Sequence, residues 1–303
     1  MLQGIFTALI TPYKNNDCKT IDFALLNGHV QRQVENGVNG FLLFSIAGEG
    51  RLLSQIERNE ILNSVQKIID STQKNLNLIA DCTADAVDDF LIKANGAFNG
   101  KATHILIAVP PGMPLSNRAI FNYFINFANV SPLPLIVLNN TPQTGHTLLP
   151  EDIVRLGEHE NIIAYCEGDS SSAGIIRAKS LLNGKMDFIS FNDQNILSMS
   201  AAGCSAFISN GSNALLKKYK DLYSAIQNGN ISASQKIQSD LSGFHEALLL
   251  EPGPGSIKAS LNLLGFCNTC IRTPFEWPLR PVLYRLAAEL DKLGLSIKSG
   301  ELS

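Results

Sequence analysis

The sequence contains no long apolar run and no excess of charge of one sign. No stretch approaches the roughly 20 consecutive apolar residues that a membrane-spanning helix needs. The first residues, MLQGIFTALITPY, show no basic region followed by the apolar core of a signal peptide. Lysine and arginine (24) nearly balance aspartate and glutamate (27), which gives a net charge of −3 without a basic stripe. These absences argue against nucleic-acid and membrane partners, and we expect a cytoplasmic protein.

The cysteines lack the pattern of a disulfide-rich or zinc-binding protein. Six are scattered over 303 residues, at positions 18, 82, 166, 204, 267 and 270. In a chain of this length, scattered cysteines favour reduced thiols over a disulfide framework. The CNTC motif at 267–270 has no second ligand pair for zinc and does not follow a strand as a redox C-x-x-C motif should. We therefore expect reduced thiols and no metal site.

Short apolar runs alternate with amphipathic segments along most of the chain. The hydrophobic content of 45% is ample for a large core. The runs are almost continuously apolar, as expected of parallel strands covered on both faces, and they recur about every 25–30 residues, the spacing of strand–helix units. The pattern predicts a (β/α)8 TIM barrel with a C-terminal helical extension. Its eight predicted strands lie in 4–11, 40–45, 77–82, 103–109, 133–140, 161–166, 187–192 and 205–209.

Two helix starts carry capping signals. Thr20 precedes an amphipathic stretch and is predicted to cap a helix that ends near Gly37. Ser54 followed by Glu57 is a capping box, in which each residue satisfies a backbone donor of the first turn. Both helices are predicted to turn an apolar stripe toward the barrel.

The last quarter of the chain shows helical patterns only. From Gly229 onward no strand pattern recurs, and Pro252 and Pro254 interrupt the helices. We therefore predict two parts, a barrel at 1–228 and a helical extension at 229–303.

In a TIM barrel the functional groups lie where the strands end, so the segments after each apolar run are the ones to compare. They resemble those of the dihydrodipicolinate synthase / N-acetylneuraminate lyase family of class I aldolases. The resemblance covers almost the whole chain, in the order Thr11-Pro12, Gly48-Glu49, TGHTLLPE (144–151), NII…E (161–167) and EPGP (251–254). It implies a lyase-type barrel that needs no cofactor, acts on a 2-oxo acid or sugar-like compound, and forms a homo-oligomer, either a dimer or a tetramer.

The central catalytic residue of that family is replaced. The resemblance implies a lysine on the sixth strand that forms a Schiff base with a 2-oxo acid, usually pyruvate, and the iminium then acts as an electron sink. The matching position here is Cys166. A thiol can add to a carbonyl, but the adduct cannot delocalise a carbanion as an iminium does. The resemblance therefore implies that the usual mechanism is lost.

The proton relay of the family is also missing. Its proton-shuttling tyrosine matches Leu138, and a second relay tyrosine matches Gly112 in a loop that aligns poorly. The hydroxyl residues that bind the substrate carboxylate match Ile46 and Ala47. Backbone N–H groups could still cradle an anion there, but no hydroxyl remains to relay a proton.

Two further positions change the substrate pocket implied by the resemblance. An arginine that some members use for a second carboxylate matches Gln143, and Phe191 stands where a small residue leaves room for substrate. The predicted ligand-binding residues are Ile46, Ala47, Gly48, Asn139, Gln143, Glu167, Phe191, Asp193 and Ile208, and the catalytic positions are Cys166, Leu138 and Glu49.

Each candidate also has a structural interpretation. Cys166 is either a small apolar filler or a nucleophile activated by Glu167 or His146. Glu49 either shapes its loop, as in the resembling family, or acts as a base or polar ligand contact. Asn139 either ties down loops or binds ligand.

The residues that follow the seventh predicted strand also have two possible roles. Asn192 and Asp193 follow strand seven and could contact the hydroxyls of a ligand, and Asp193 could instead cap the next helix. A metal cluster of cysteines with Glu49 and His146 is not expected, because its ligands would come from separate loops.

Other lysines are not expected to supply the missing amine. Lys101, Lys179 and Lys185 fall in helices or strand starts at the opposite end of the barrel, and Lys258 lies in the C-terminal helices.

Three functions remain open on the sequence alone. The first is a family member without standard aldolase activity, a pseudoenzyme or repurposed small-molecule binder. The second is a lyase or hydrolase that acts on a carbonyl compound without a Schiff base, through rim carboxylates or Cys166. The third is a structural or regulatory subunit that partners an active homologue.

Overall fold

Eight parallel strands close into a barrel in the order β1-β2-β3-β4-β5-β6-β7-β8. This computed structural model describes residues 1–72, 74–169 and 171–298. The predicted (β/α)8 fold with C-terminal helices is confirmed. The strands are β1 Gly4–Ala8, β2 Gly40–Leu43, β3 Asn77–Asp81, β4 His104–Ala108, β5 Leu135–Asn139, β6 Ile162–Glu167, β7 Asp187–Ser190 and β8 Ala206–Ser209.

The strands are buried along nearly their whole length, which is why they read as continuous apolar runs. Every residue of β1, β2, β5 and β8 is buried. Most are shorter than the apolar runs predicted. The run 4–11, for example, leaves the sheet after Ala8, although Leu9 N–H still donates to the Leu42 carbonyl (2.9 Å). Apolar character therefore marks burial, and it extends beyond the hydrogen-bonded ladder.

The helices follow the strands around the barrel and continue beyond β8. They are α1 Phe23–Glu35, α2 Gln55–Ser71, α3 Val87–Asn99, α4 Asn117–Val130, α5 Thr141–Thr144, α6 Pro150–Leu156, α7 Ser172–Leu182, α8 Ile196–Ala202, α9 Ser212–Gln227, α10 Ile231–Leu249, α11 Gly255–Leu263 and α12 Arg280–Lys292. In the described residues, no helix is both long enough and apolar enough to span a bilayer.

The two predicted caps have different outcomes. The Ser54–Glu57 capping box at the start of α2 is confirmed. The prediction that Thr20 caps α1 is wrong, because Asp22 is the N-cap and accepts Leu25 N–H (3.0 Å). The Thr20 hydroxyl instead bonds to Asp17 (2.5 Å). Two neighbouring residues with capping side chains cannot be ranked from sequence alone.

By internal contacts the chain forms two compact units. The first consists of Met1–Gly4 and Asn77–Ile208, and it carries β3 to β7. The second consists of Ile5–Leu76 and the described residues from Ser209 onward, and it carries β2 with α9 to α12. The predicted division into 1–228 and 229–303 stays a prediction, and residues 299–303 of it lie outside the described residues.

A buried polar cluster joins α1 to the start of α9 within the second unit. His29 Nε2 donates to Asn213 Oδ1 (2.9 Å), and its Nδ1 accepts from Arg32 (2.8 Å). Gln33 accepts from Thr7 of β1 (2.9 Å), which in turn bonds to Ser212 (2.9 Å). Burial lowers the pKa of His29 to about 3, with the Arg32 charge adding to the effect. His29 is therefore a neutral structural residue at physiological pH.

Candidate functional site

Cys166 lies on β6 between two apolar neighbours of the adjacent strands. In the parallel register it is paired with Leu138 of β5 and Ile189 of β7. The side chain is completely buried. Burial raises the pKa of the Cys166 thiol well above its ordinary value. Since the thiolate is the nucleophilic form, this environment keeps the thiol protonated and unreactive.

Glu167 does not face Cys166, because successive strand side chains point to opposite faces. Its carboxylate lies on the face of Tyr165, whose hydroxyl donates to Oε2 (2.8 Å). Asp169 N–H donates to Oε1 (2.6 Å). Burial raises the pKa of the Glu167 carboxyl, while these hydrogen bonds favour its charged form. The structure thus does not bring together the acid and the thiol that the sequence placed side by side.

Asn139 connects the ends of β5 and β6. Its Nδ2 donates to Glu167 (3.3 Å) and to Asp169 (3.1 Å), and its Oδ1 accepts Leu148 N–H (3.0 Å). Asp169 also accepts from Thr141 N–H (2.8 Å) and from the Thr141 hydroxyl. All the polar atoms of the Asn139 side chain are therefore used to hold neighbouring loops. A contact with ligand stays a prediction for this residue.

His146 and Gln143 lie on the loop that follows β5. The His146 ring bonds through Nε2 to the Met113 carbonyl (2.5 Å) and so ties this loop to the one after β4. Gln143 is exposed on the short helix α5. Among the residues that the structure describes, no hydrogen bond joins either side chain to Cys166 or Glu167.

The ends of β7 and β8 carry the remaining predicted contacts of the first unit. Phe191 is half-buried, and its N–H donates to the Glu167 carbonyl (2.8 Å). Of the two alternatives for Asp193, capping is not what the structure shows, because Asn192 is the cap of the next helical turn and accepts Gln194 N–H (2.9 Å). Contact of Asn192 or Asp193 with a ligand stays a prediction. Asp193 is half-buried and Ile208 is buried.

The loop after β2 in the second unit is closed by its own amides. Gly48 and Gly50 N–H both donate to the Ser45 carbonyl (3.1 Å each), and Glu49 N–H donates to the Ile46 carbonyl (3.0 Å). These three amides are therefore used to close the loop, and an anion cradle formed by backbone N–H groups at Ile46 and Ala47 stays a prediction. Ile46 is 37% exposed, whereas Ala47 is buried.

Backbone geometry explains the Gly-Glu-Gly sequence of this loop. A Cβ at Gly50 would lie 1.7 Å from the Phe44 carbonyl oxygen, and one at Gly48 would lie 2.8 Å from the Leu9 carbonyl oxygen. Glu49 adopts a left-handed conformation with φ of 54°. The backbone of this loop therefore fixes the direction of the Glu49 side chain.

Glu49 forms a buried ion pair with Lys258 of α11. Neither side chain is exposed to solvent. The second carboxylate oxygen accepts Arg272 N–H (2.9 Å), and Lys258 Nζ also donates to the Cys270 carbonyl (3.1 Å). Burial raises the pKa of Glu49 and lowers that of Lys258, and their mutual attraction opposes both shifts. Glu49 therefore fastens its loop to the C-terminal segment.

Tyr13 lies against both cations of this cluster. Lys258 Nζ is 4.4 Å from its ring centroid, and Arg272 Cζ is also 4.4 Å away. The Tyr13 hydroxyl is buried and has no hydrogen-bond partner among the described residues. Burial raises the pKa of this phenol, and the Glu49 charge adds to the effect. The Arg272 guanidinium also donates to the Glu57 carboxylate (3.2 Å) and so joins α2 to the cluster.

A disulfide joins Cys18 and Cys270, whose Cα atoms are 4.9 Å apart across a sequence separation of 252 residues. The expectation that all cysteines are reduced is therefore wrong. The other four are free and buried. Such a pairing is set by the fold, since no local spacing relates the two residues.

A model of the Dihydrodipicolinate synthetase family matches residues 1–281 of the chain. The chain belongs to this family. The 4-hydroxy-tetrahydrodipicolinate synthase of Geobacter sp. (strain M21) is 28% identical over 295 residues, which cover 97% of this chain and 100% of that one. The synthase of Gluconobacter oxydans (strain 621H) is 26% identical over 295 residues, with 97% and 98% covered.

Solved structures of the family have the same fold. A monomeric dihydrodipicolinate synthase variant superposes with a TM-score of 0.91 at 25% identity, covering 97% of both chains. The enzyme from Thermotoga maritima gives 0.91 at 25% identity, with 97% and 99% covered. The enzyme from Acinetobacter baumannii, described as complexed with pyruvate, gives 0.91 at 22% identity, with 97% and 100% covered, and this last likeness supports the fold alone.

The sequence placed Lys258 in the C-terminal helices but did not indicate its pairing with Glu49, and it did not point to Tyr13 or Arg272. Lys258 had a visible signal, because a lone charge in the apolar stretch SIKASLNLL calls for a buried partner. Tyr13 and Arg272 had none. Among residues 1–72, 74–169 and 171–298, no group of three or more His, Cys, Asp or Glu side chains could hold a metal ion.

Proposed function

We propose that this member of the dihydrodipicolinate synthetase family is a pseudoenzyme, or a repurposed binder of a small molecule, that does not perform Schiff-base aldol chemistry. The observation that carries the proposal is the burial of Cys166 beside Leu138. These are the positions that the resemblance assigns to the Schiff-base lysine and the proton-shuttling tyrosine. A protonated thiol and an aliphatic side chain supply neither an amine nor a proton relay.

Lys258 does not fit the role of a substitute amine. Schiff-base formation needs a neutral amine that a carbonyl compound can approach. The Lys258 side chain is fully buried, its Nζ is paired with Glu49, and it also donates to the Cys270 carbonyl. Burial does lower its pKa, but the adjacent carboxylate favours the protonated form. A ligand would have to break this pair to reach the nitrogen.

The buried thiol also argues against covalent catalysis through Cys166. The carboxylate next to it in sequence faces the other side of the strand, bonded to Tyr165. A lyase or hydrolase that uses Cys166 as its nucleophile would need a base that this arrangement does not provide. Any ligand is therefore proposed to bind without a covalent bond, as a 2-oxo acid or a sugar-like compound.

Borohydride trapping tests the proposal directly. The protein is incubated with pyruvate and sodium borohydride, and its intact mass is measured. We expect no added mass, whereas a family member that carries the lysine on the sixth strand should gain a reduced pyruvyl group. Pyruvate is the appropriate probe because the resemblance implies it as the usual substrate of the Schiff-base lysine.

A trapped adduct would overturn the proposal, and peptide mapping would identify the amine. The variant Lys258→Met gives the matched control: an adduct lost only in this variant would assign the reaction to Lys258. Non-covalent binding is measured separately, by calorimetric titration with pyruvate in the absence of borohydride.

The assembly and location of the chain are also proposals. We propose a cytoplasmic homo-oligomer, either a dimer or a tetramer, as the resemblance implies, although one solved relative is described as monomeric. Sedimentation velocity distinguishes these states. A stable hetero-oligomer with an active homologue would instead favour a regulatory subunit.

A further inference from the structure

The Cys18–Cys270 disulfide joins two segments that other contacts already hold together. Cys18 lies in the loop between Tyr13 and Ile21, which pair as an antiparallel bridge. The loop is closed by Lys14 N–H donating to the Thr20 carbonyl (2.8 Å) and by Cys18 N–H donating to the Lys14 carbonyl (2.9 Å). Backbone hydrogen bonds therefore hold this turn in addition to the sulfur–sulfur bond.

Two side chains of the 268–272 segment hold this loop independently. Asn268 Nδ2 donates to the Tyr13 carbonyl (2.6 Å), and the Arg272 guanidinium donates to the Lys19 carbonyl. With these bonds intact, the two cysteines stay close after reduction. Two thiols held in proximity re-form a disulfide as an intramolecular reaction with a high effective concentration.

The two sulfurs differ in access. Cys18 is half-buried on a surface loop, whereas Cys270 is 3% exposed. An external thiolate therefore reaches Cys18 first. After reduction, the Cys270 thiol has an acceptor available, because the Lys14 carbonyl oxygen lies 3.3 Å from its Sγ.

The disulfide is also adjacent to the buried ion pair. The Cys270 carbonyl accepts from Lys258 Nζ, and Arg272, two residues later, donates its N–H to Glu49. The position of Cys270 thus sets two contacts that fix the loop after β2.

From these contacts we propose that Cys18–Cys270 is a reversible thiol–disulfide exchange site that accepts a dithiol reductant and controls how firmly the 268–272 segment holds the Cys18 loop. In the first step a thiolate of the dithiol attacks Cys18 Sγ, and Cys270 leaves as a thiolate that takes up a proton. The second thiol of the reductant then attacks the mixed disulfide and releases Cys18. Two electrons and two protons pass from the dithiol to the two cysteines, and the reductant leaves as its own disulfide.

Differential alkylation of the native full-length protein tests the site. Free thiols are first blocked with one reagent in denaturant, and a second sample is treated with dithiothreitol without denaturant before blocking. We expect Cys18 and Cys270 to be unlabelled before reduction and fully labelled after it. Removal of the dithiol in air should restore the same pair, also in the variant Cys267→Ser.

Three outcomes would overturn the proposal. Cys18 and Cys270 could already be free in the air-equilibrated protein, they could resist dithiothreitol until the protein is unfolded, or reoxidation could pair Cys270 with Cys267. Each of these is read from the same labelled peptides.

Amide hydrogen exchange tests the proposed control of the loop. Reduction should increase exchange severalfold at 14–20 and 268–272 and leave β5 and β6 unchanged. The variant Cys18→Ser should match the reduced protein and lose its response to dithiothreitol. Identical exchange in the oxidised, reduced and variant proteins would show that the disulfide does not control how firmly the 268–272 segment holds the Cys18 loop.

Discussion

Glu49 and Lys258 form an ion pair in which neither side chain is exposed to solvent. The pair joins the loop after β2 to helix α11, and Arg272 N–H supplies a further bond to the carboxylate. A buried pair of this kind contributes little net stability compared with an apolar pair, but it is costly to break on one side only.

The ion pair makes a double-mutant prediction. Lys258→Met leaves the Glu49 carboxylate buried without its cation and should lower the free energy of unfolding by about 3–5 kcal/mol. Glu49→Gln should also destabilise the fold, because it leaves the Lys258 ammonium buried without its carboxylate. The combined variant should be more stable than Lys258→Met alone in urea unfolding. Additive losses in the double variant would contradict the pairing.

The Cys166 thiol should be inert in the folded protein. Because burial raises its pKa and excludes reagents, iodoacetamide should modify it far more slowly than free cysteine at neutral pH. Peptide mass spectrometry after timed alkylation provides the rate. Labelling faster than that of free cysteine would restore Cys166 as a candidate nucleophile.

Gly50 should tolerate no side chain. A Cβ there would overlap the Phe44 carbonyl oxygen at 1.7 Å, so Gly50→Ala must move the backbone and should cost more than about 4 kcal/mol or prevent folding. The matched control is Gly28→Ala in α1, where no atom lies within 4 Å of the new Cβ. That change should stabilise by about 0.5–1 kcal/mol. Equal effects of the two variants on the thermal midpoint would refute the steric argument.

His29 should make the protein acid-sensitive. Its pKa is about 3 in the fold and near 6.5 when unfolded, so between these values the unfolded state binds the extra proton. Stability should therefore fall as pH decreases from about 6.5 toward 3, by up to about 1.4 kcal/mol per pH unit. Urea unfolding at several pH values, with His29→Gln as the control, checks the slope. An unchanged slope in the variant would exclude His29 as its source.

Local sequence signals were sufficient for the barrel but not for the contacts that cross the chain. Apolar runs located all eight strands, and the Ser54–Glu57 spacing located the start of α2, because both depend on neighbouring residues. Glu49 and Arg272 are 223 residues apart, and Cys18 and Cys270 are 252 apart. Partners at such distances are selected by the folded backbone, and no periodicity encodes them.

The position of Cys166 was predicted correctly at the end of the sixth apolar run, but its surroundings were not. Strand alternation separates it from Glu167, a consequence that could have been drawn from sequence. The direction of the His146 ring could not be predicted from the sequence, because it depends on where the loop after β4 places the Met113 carbonyl.

The close packing around Cys166 constrains how this chain can change. A lysine side chain has several more heavy atoms than cysteine, and Cys166, paired with Leu138 and Ile189 on the adjacent strands, has no exposed surface. Introducing a lysine at residue 166 should therefore overfill the core unless neighbouring side chains are made smaller at the same time. The burial of this one thiol therefore couples residue 166 to its strand neighbours, so that a larger side chain there requires compensating substitutions at positions such as Leu138 or Ile189.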